Sequence, residues 1–324
     1  MKTEFLLELD RKTEACDQIV RRQLPAAEGL QKTVLSAMRY SVEAGGKRIR
    51  PLLISECYEL QKPDEERVRL LRPVTEAFMA AMEMIHTFSL CHDDLPCMDN
   101  DAYRRGQEST WYHFGEDMGT LAGDALSLYA FERIGDAYME MQASARHLNI
   151  PAEKLLAYSG NVLSAMGLLA KCSGVYGMLG GQVVDVELTG KALTEEQLGF
   201  IYRLKTGALI AGSMQIGALL GGADAETQQS MHDIGEKIGI AFQIQDDILD
   251  ETSTTEVLGK PIHSDEENGK TTYVSLHGLA ASEKEVERLS MEAAEALKSR
   301  ASQWDAEHLD FLYSLTEYLI HRKK

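Results

Sequence analysis

The sequence predicts an all-α protein, and three observations predict it. Only seven prolines interrupt the 324 residues, at positions 25, 51, 63, 73, 96, 151 and 261, and most precede a helical pattern, where a missing N–H costs nothing. Capping boxes are legible at Thr194/Gln197 and Ser282/Glu285, each opening a segment with apolar spacing near 3.6. No stretch sustains period-two alternation between hairpin turns, and β-branched runs are scarce. Nearly all helix and little or no sheet is expected. No repeat, low-complexity tract or Gly/Ser-rich linker marks a boundary, so one domain over residues 1–324 is expected.

Residues 1–23 are charged and amphipathic, with neither the apolar core of a signal peptide nor a transit composition. The most apolar window, residues 206–222 (TGALIAGSMQIGALLGG), is shorter than the ~20 residues of a membrane span and reads as a core helix. Five cysteines without a CxxC pair read as free thiols in a reducing compartment, and a cytoplasmic location is expected. Lys plus Arg number 33 against 51 Asp plus Glu, a net charge of −18, which argues against a nucleic-acid or anionic-membrane surface. An anionic substrate would need a local basic patch or a metal.

Two aspartate clusters meet that need. Asp93-Asp94-x4-Asp99 and Asp246-Asp247-x2-Asp250 stand about 150 residues apart, each ending a stretch that reads as buried helix. Residues 77–91 carry only Glu83 and His86, and residues 238–245 carry no charge. A lone ionised carboxylate is too costly to bury, so it must be paired, protonated or metal-bound. Several carboxylates with no adjacent Lys or Arg favour a hard cation, and Mg2+ prefers one or two carboxylates plus water and phosphates. Asp246 and Asp250, four apart, share a helix face with Gln243. The six-residue step from Asp93 to Asp99 does not return to one face, and Pro96 removes a helical hydrogen bond, so the helix should break or bulge there and swing Asp99 back toward Asp93.

Cations stand where a diphosphate would need them. Gly45-Gly46-Lys47-Arg48-Ile49-Arg50-Pro51 is a glycine turn followed by three cations and a helix-opening proline. Arg104-Arg105-Gly106 follows the first cluster, and Lys205-Thr206-Gly207 lies in the apolar helix before the second, where a lysine wants an anion. GxxxxGK[ST] is absent, which disfavours nucleotide hydrolysis.

GGKRIRP, HDDLPCMDND, YRRG, LKTGALI, AFQIQDDILD and LGKPIHSDEENGKTTY occur in this order from about residue 30 onward, and in order and spacing the chain resembles the trans-isoprenyl diphosphate synthases. The resemblance implies a single all-α domain of about ten core helices around a deep central cavity, the two aspartate motifs facing each other across its mouth, and usually a homodimer. Lys47, Arg50, His86 and Arg105 resemble the pocket for isopentenyl diphosphate. Arg104, Lys205 and Lys260 resemble contacts to the allylic diphosphate. Asp93, Asp99 and Asp246 look like the principal ligands of about three Mg2+ ions, with Asp94, Asp247 and Asp250 assisting through metal or water. Thr206 and Gln243 would stand beside the reacting carbon. Lys270 and Arg322-Lys323-Lys324 resemble residues that close the mouth.

The implied reaction is ionisation of the allylic diphosphate, attack by the double bond of isopentenyl diphosphate and loss of a proton to the departing diphosphate. It needs no protein nucleophile. Phe88 and Ser89, five and four residues before the first motif, lie about one turn deeper and resemble positions that set product length. With Pro96-Cys97 as the two-residue insertion, an aromatic at 88 resembles the farnesyl (C15) pattern, with a C20 product as the alternative. Asn100 and Ala102 replace acids common in relatives, and His263 replaces a glycine. A non-catalytic partner subunit would lack intact aspartate motifs, and a terpene cyclase would need no second diphosphate pocket.

Overall fold

The computed structural model describes residues 2–252 and 270–321. Lys260, His263 and Arg322-Lys323-Lys324 lie outside the described residues. The expected predominance of helix is what the chain forms, and it packs as two compact units, Met1–Ser55 with Pro63–Met166, and Glu56–Lys62 with Gly167–Lys324. The division falls within helices α3 (Ile49–Leu60) and α7 (Ala152–Ser173).

In the first unit, α1 (Lys2–Arg22) and α2 (Lys32–Glu43) precede α3, and α4 (Glu65–Asp93) runs to the first aspartates. Asp64 caps α4 by accepting from the Arg67 N–H at 2.7 Å. Pro73 lies inside α4 rather than before a helix and removes one ladder bond. The unbroken burial of Ala77 through Ile85 holds the helix together beyond it. After α4 come a two-residue hairpin, β1 (Tyr103–Arg104) and β2 (Gln107–Glu108), the short α5 (Thr110–Phe114) and α6 (Glu116–His147), which packs along α4.

In the second unit, α8 (Met178–Glu187) and α9 (Glu195–Ile201) lead into a π-helical turn, Tyr202–Gly207, and then α10 (Ala208–Gly221), α11 (Ala225–Thr252), α12 (Tyr273–His277), α13 (Leu279–Ser299) and α14 (Ala306–His321). The apolar window read as a core helix is one: α10 is buried from Leu209 to Gly221 except at Gln215, and Gly222 ends it at φ +107°. Leu198, Ile201 and Tyr202 pack with Ala241, Ile244, Ile248, Val286 and Leu289 in a core that α9, the π turn, α11 and α13 share.

The capping box at Thr194/Gln197 forms, with both reciprocal bonds. The one expected at Ser282/Glu285 does not. Gly278, at φ +79°, starts α13 four residues earlier, and Ser282 Oγ donates instead to the Gly278 carbonyl at 2.9 Å. A second box that the sequence reading did not name, Thr272/Ser275, opens α12. All five cysteines are free thiols. Among the described residues one stretch, Ala152–Glu187, is long and apolar enough to cross a membrane by length and composition, and 33% of its most apolar window is buried.

Candidate active site

The first unit brings the leading cations together. Gly45 and Gly46 have φ of +85° and +140°, left-handed conformations open to glycine, so α2 turns sharply into the Lys47-Arg48-Ile49-Arg50 run. Lys47 is exposed and Arg50 half-buried at the start of α3. Arg105 and Gly106 form the two-residue loop between β1 and β2, both at positive φ, the type I′ pattern that suits hairpin twist. That turn sends the Arg105 guanidinium onto the Gly45 carbonyl and the Arg104 guanidinium onto Asp94. His86, on α4, is held well below the ordinary histidine range by burial and by the charges of Arg50, Arg105, Arg104 and Arg48. Arg50 and Arg105 thus lie near His86, and Arg105 is bonded to the glycine turn that carries Lys47.

The first aspartate cluster breaks its helix as its proline predicts. α4 ends at Asp93, and the Asp99 N–H donates to the Asp93 carbonyl at 2.9 Å, folding Asp99 back beside Asp93. The Asp101 N–H reaches the Asp94 carbonyl at 3.1 Å. Asn100 sits at φ +56°, a region asparagine adopts more readily than most residues, so the departure from an acid falls where the backbone favours asparagine. The carboxylates then differ in task. Asp94 is buried and its two oxygens share the Arg104 Nε–H, at 2.9 and 3.2 Å, while Asp99 is exposed and Asp93 half-buried. Burial raises the Asp94 pKa despite the arginine. Phe88 and Ser89 lie on α4 above this break, and the Phe88 ring meets the His92 ring edge-on at 5.7 Å.

The second unit gathers the later residues. Lys205 does not lie in a regular apolar helix, as the sequence reading expected. It sits in the π turn, where the backbones of α8 and α11 approach closely: a Cβ on Gly181 would stand 2.3 Å from the Lys205 nitrogen, and one on Gly239 would stand 2.5 Å from Gly207 Cα. Lys205 Nζ pairs with Asp185 Oδ2 at 2.6 Å. Thr206 Oγ1 donates to Gln243 Oε1 at 2.7 Å, and Gln243 Nε2 donates to Asp247 Oδ1 at 3.2 Å. Asp247 is buried and also accepts from the Tyr202 hydroxyl and from the Tyr273 N–H at 3.0 Å. Asp246 is half-buried and Asp250 buried on the same helix. Lys270 lines, with Lys205, Thr206, Gln243 and Asp247, a cleft of about 90 Å³.

Asp185, Tyr202 and Gly181 were missed by sequence reasoning. The signal was present in GGQVVDV, where Asp185 interrupts an apolar run 20 residues before a lysine that needs an acid.

No three carboxylate, imidazole or thiol groups among the described residues converge into a ready metal cage. Carboxylate oxygens with room for water and phosphate suit Mg2+, which seldom uses an all-protein cage. The donor set fits that ion.

Residues 31–307 match the polyprenyl synthetase family. The chain is 40% identical over 287 residues to the farnesyl diphosphate synthase of Geobacillus stearothermophilus, covering 89% of each chain. It is equally, 40%, identical over 287 residues to a chloroplastic geranylgeranyl pyrophosphate synthase of Catharanthus roseus, covering 88% of this chain and 73% of the relative. A Helicobacter pylori geranyltransferase solved in complex with magnesium and isoprenyl diphosphate superposes with a TM-score of 0.82 at 27% identity over 98% of both chains. The cation turn, the returning aspartate loop and the lysine-bearing π turn are therefore parts of a prenyl diphosphate synthase, and the chain belongs to the polyprenyl synthetase family.

Proposed function

We propose that the chain condenses isopentenyl diphosphate with dimethylallyl or geranyl diphosphate and releases mainly (2E,6E)-farnesyl diphosphate. The nearness of Arg50 and Arg105 to His86, with Arg105 bonded to the glycine turn, is the observation that carries the reading. A cyclase needs one diphosphate site, whereas these cations, well removed in sequence from Lys205, suit a second. Lys47, Arg50 and Arg105 hold the isopentenyl diphosphate, with neutral His86 donating or accepting one hydrogen bond among them. Arg104, Lys205 and Lys260 hold the allylic diphosphate; Lys260 lies outside the described residues.

Asp93, Asp99 and Asp246 supply the principal oxygens for Mg2+, with Asp94, Asp247 and Asp250 in support. When bound, the ions neutralise the diphosphate as it leaves. Thr206 and Gln243, locked together by their hydrogen bond, turn oxygen dipoles toward the developing allylic cation. Apolar walls exclude water that would quench it. The proton lost from the new chain passes to the departing diphosphate, so no side chain acts as nucleophile. A homodimer in a reducing cytoplasm accords with the five free thiols and with the family.

A C20 product is the second reading, favoured by the equal identity to a geranylgeranyl pyrophosphate synthase. Chromatography of dephosphorylated products, formed from isopentenyl diphosphate with each allylic primer, decides between them. A dominant C20 product refutes the farnesyl assignment, and absence of any condensation product refutes the whole reading.

A further inference from the structure

Arg48 stands between Lys47 and Arg50, yet its own side chain is fully buried. Its Nε lies 2.8 Å from Asp17 Oδ1 on α1, one terminal nitrogen 2.7 Å from Glu83 Oε1 on α4, and the other 2.6 Å from the Val42 carbonyl on α2. One guanidinium therefore ties three helices to the turn that carries its two neighbours. The turn requires such a tie. Gly45, Gly46 and Arg48 all have positive φ, and Arg48, at +48°, occupies a region that residues with a side chain enter uncommonly and at some cost, which its contacts offset.

The tie also sets spacing. Glu83 stands three residues before His86 on α4, so both lie on one helix face, and the clamp that holds Arg48 fixes the turn relative to His86. Arg105 holds the turn from its other side through the Gly45 carbonyl. A planar fork with donors in fixed directions suits this task, and a lysine cannot reproduce it.

We propose that Arg48 is a positioning residue: with Asp17 and Glu83 it presents Lys47 and Arg50, in register with His86, to the diphosphate of the non-allylic substrate. This rests on the reading above that Lys47 and Arg50 hold that diphosphate. A buried ion network that only packs helices would alter stability and leave substrate affinities alone.

The test compares Arg48→Met, Arg48→Lys and Glu83→Gln with Arg50→Ala, titrating each substrate below every variant's thermal midpoint and following amide exchange over residues 45–52. Arg48→Met is expected to raise the KM for isopentenyl diphosphate about tenfold or more while the allylic KM moves less than about threefold, and Arg48→Lys to recover only part of the loss. Exchange at 45–52 should quicken in parallel. If Arg48→Met does not fold, Glu83→Gln, which leaves Asp17 and Val42 on the guanidinium, should show the same split at smaller size. A lower thermal midpoint with both KM values unchanged in the folded variants overturns the proposal. Arg50→Ala separates the two ideas: if it raises the isopentenyl KM and the Arg48 and Glu83 variants do not, Arg48 alone is wrongly assigned. If Arg50→Ala leaves that KM unchanged, the pocket assignment fails and the Arg48 proposal fails with it.

Discussion

Lys205 and Asp185 form an ion pair at 2.6 Å that fastens the π turn to α8. Both side chains keep some solvent access, so the pair adds little stability of its own, and its value lies in aiming an ammonium on a flexible stem. Asp185→Asn should therefore lower kcat/KM for the allylic substrate about tenfold with helical circular dichroism unchanged. Steady-state kinetics with geranyl diphosphate varied checks it, and wild-type kinetics in the asparagine variant would remove Asp185 from the site.

The two aspartate clusters should separate into ligand and anchor positions. Asp93→Ala and Asp246→Ala are expected to cut turnover about a hundredfold or more while leaving the fold intact, and EDTA should abolish wild-type activity. Asp94→Ala should behave differently, because it strips a partly covered Arg104 of its buried partner, a loss of roughly 2–3 kcal/mol. Urea denaturation of the three variants distinguishes them: equal midpoints throughout would contradict the anchor role of Asp94.

His86 gives a pH dependence of defined sign. Its folded pKa lies well below the ordinary histidine value, through burial and four nearby arginines, so the unfolded chain binds the proton more readily. Stability should fall as pH drops below about 6.5 and continue falling until the folded imidazole is protonated. His86→Gln should flatten that component of the stability profile below about pH 6.5, as read by denaturant midpoints. An identical slope in wild type and variant would assign it to other groups.

Phe88 carries the prediction of product length. Phe88 stands five residues before Asp93 on α4, its ring partly covered and edging onto His92. Removing the ring should extend the product from C15 toward C20 or longer. An unchanged C15 product in Phe88→Ala would show that another residue ends the chain.

Gly181 tests the seat of the π turn. A methyl there would stand within 3 Å of both the nitrogen and Cα of Lys205, and neither can yield as a flexible side-chain end can. Gly181→Ala should cost about 1–3 kcal/mol and depress turnover together, because relief requires the Lys205 backbone to move. Thermal melts with parallel assays check it; lost stability with intact turnover would uncouple the seat from the lysine.

These residues also show where sequence is legible. The return of Asp99 to Asp93 followed from Pro96, because a missing N–H has a local and predictable consequence. The Thr194 cap was equally local, whereas the Ser282 signature failed because a glycine four residues earlier had already started the helix. The role of Arg48 was hidden because its partners, Asp17 and Glu83, stand 31 and 35 residues away, with no local pattern marking either as a mate for a buried cation. The Lys205 turn was hidden for a related reason: its shape depends on glycines in two other helices, and the apolar run through it reads as continuous helix.

The π turn has a consequence for chain length rather than composition. It fits about one more residue into its loop than an α turn does, so the helical wheel before it and the wheel after it are out of phase by close to 100°. Leu198 and Ile201 face the core on the first wheel, and α10, buried nearly all round, follows on the second. Deleting one residue from 202–204 would bring the two wheels into phase and swing Lys205 and Thr206 around the axis, even if every remaining side chain were kept. In this segment the number of residues is itself a functional constraint, and a tolerated change there has to be a substitution and not an insertion or deletion.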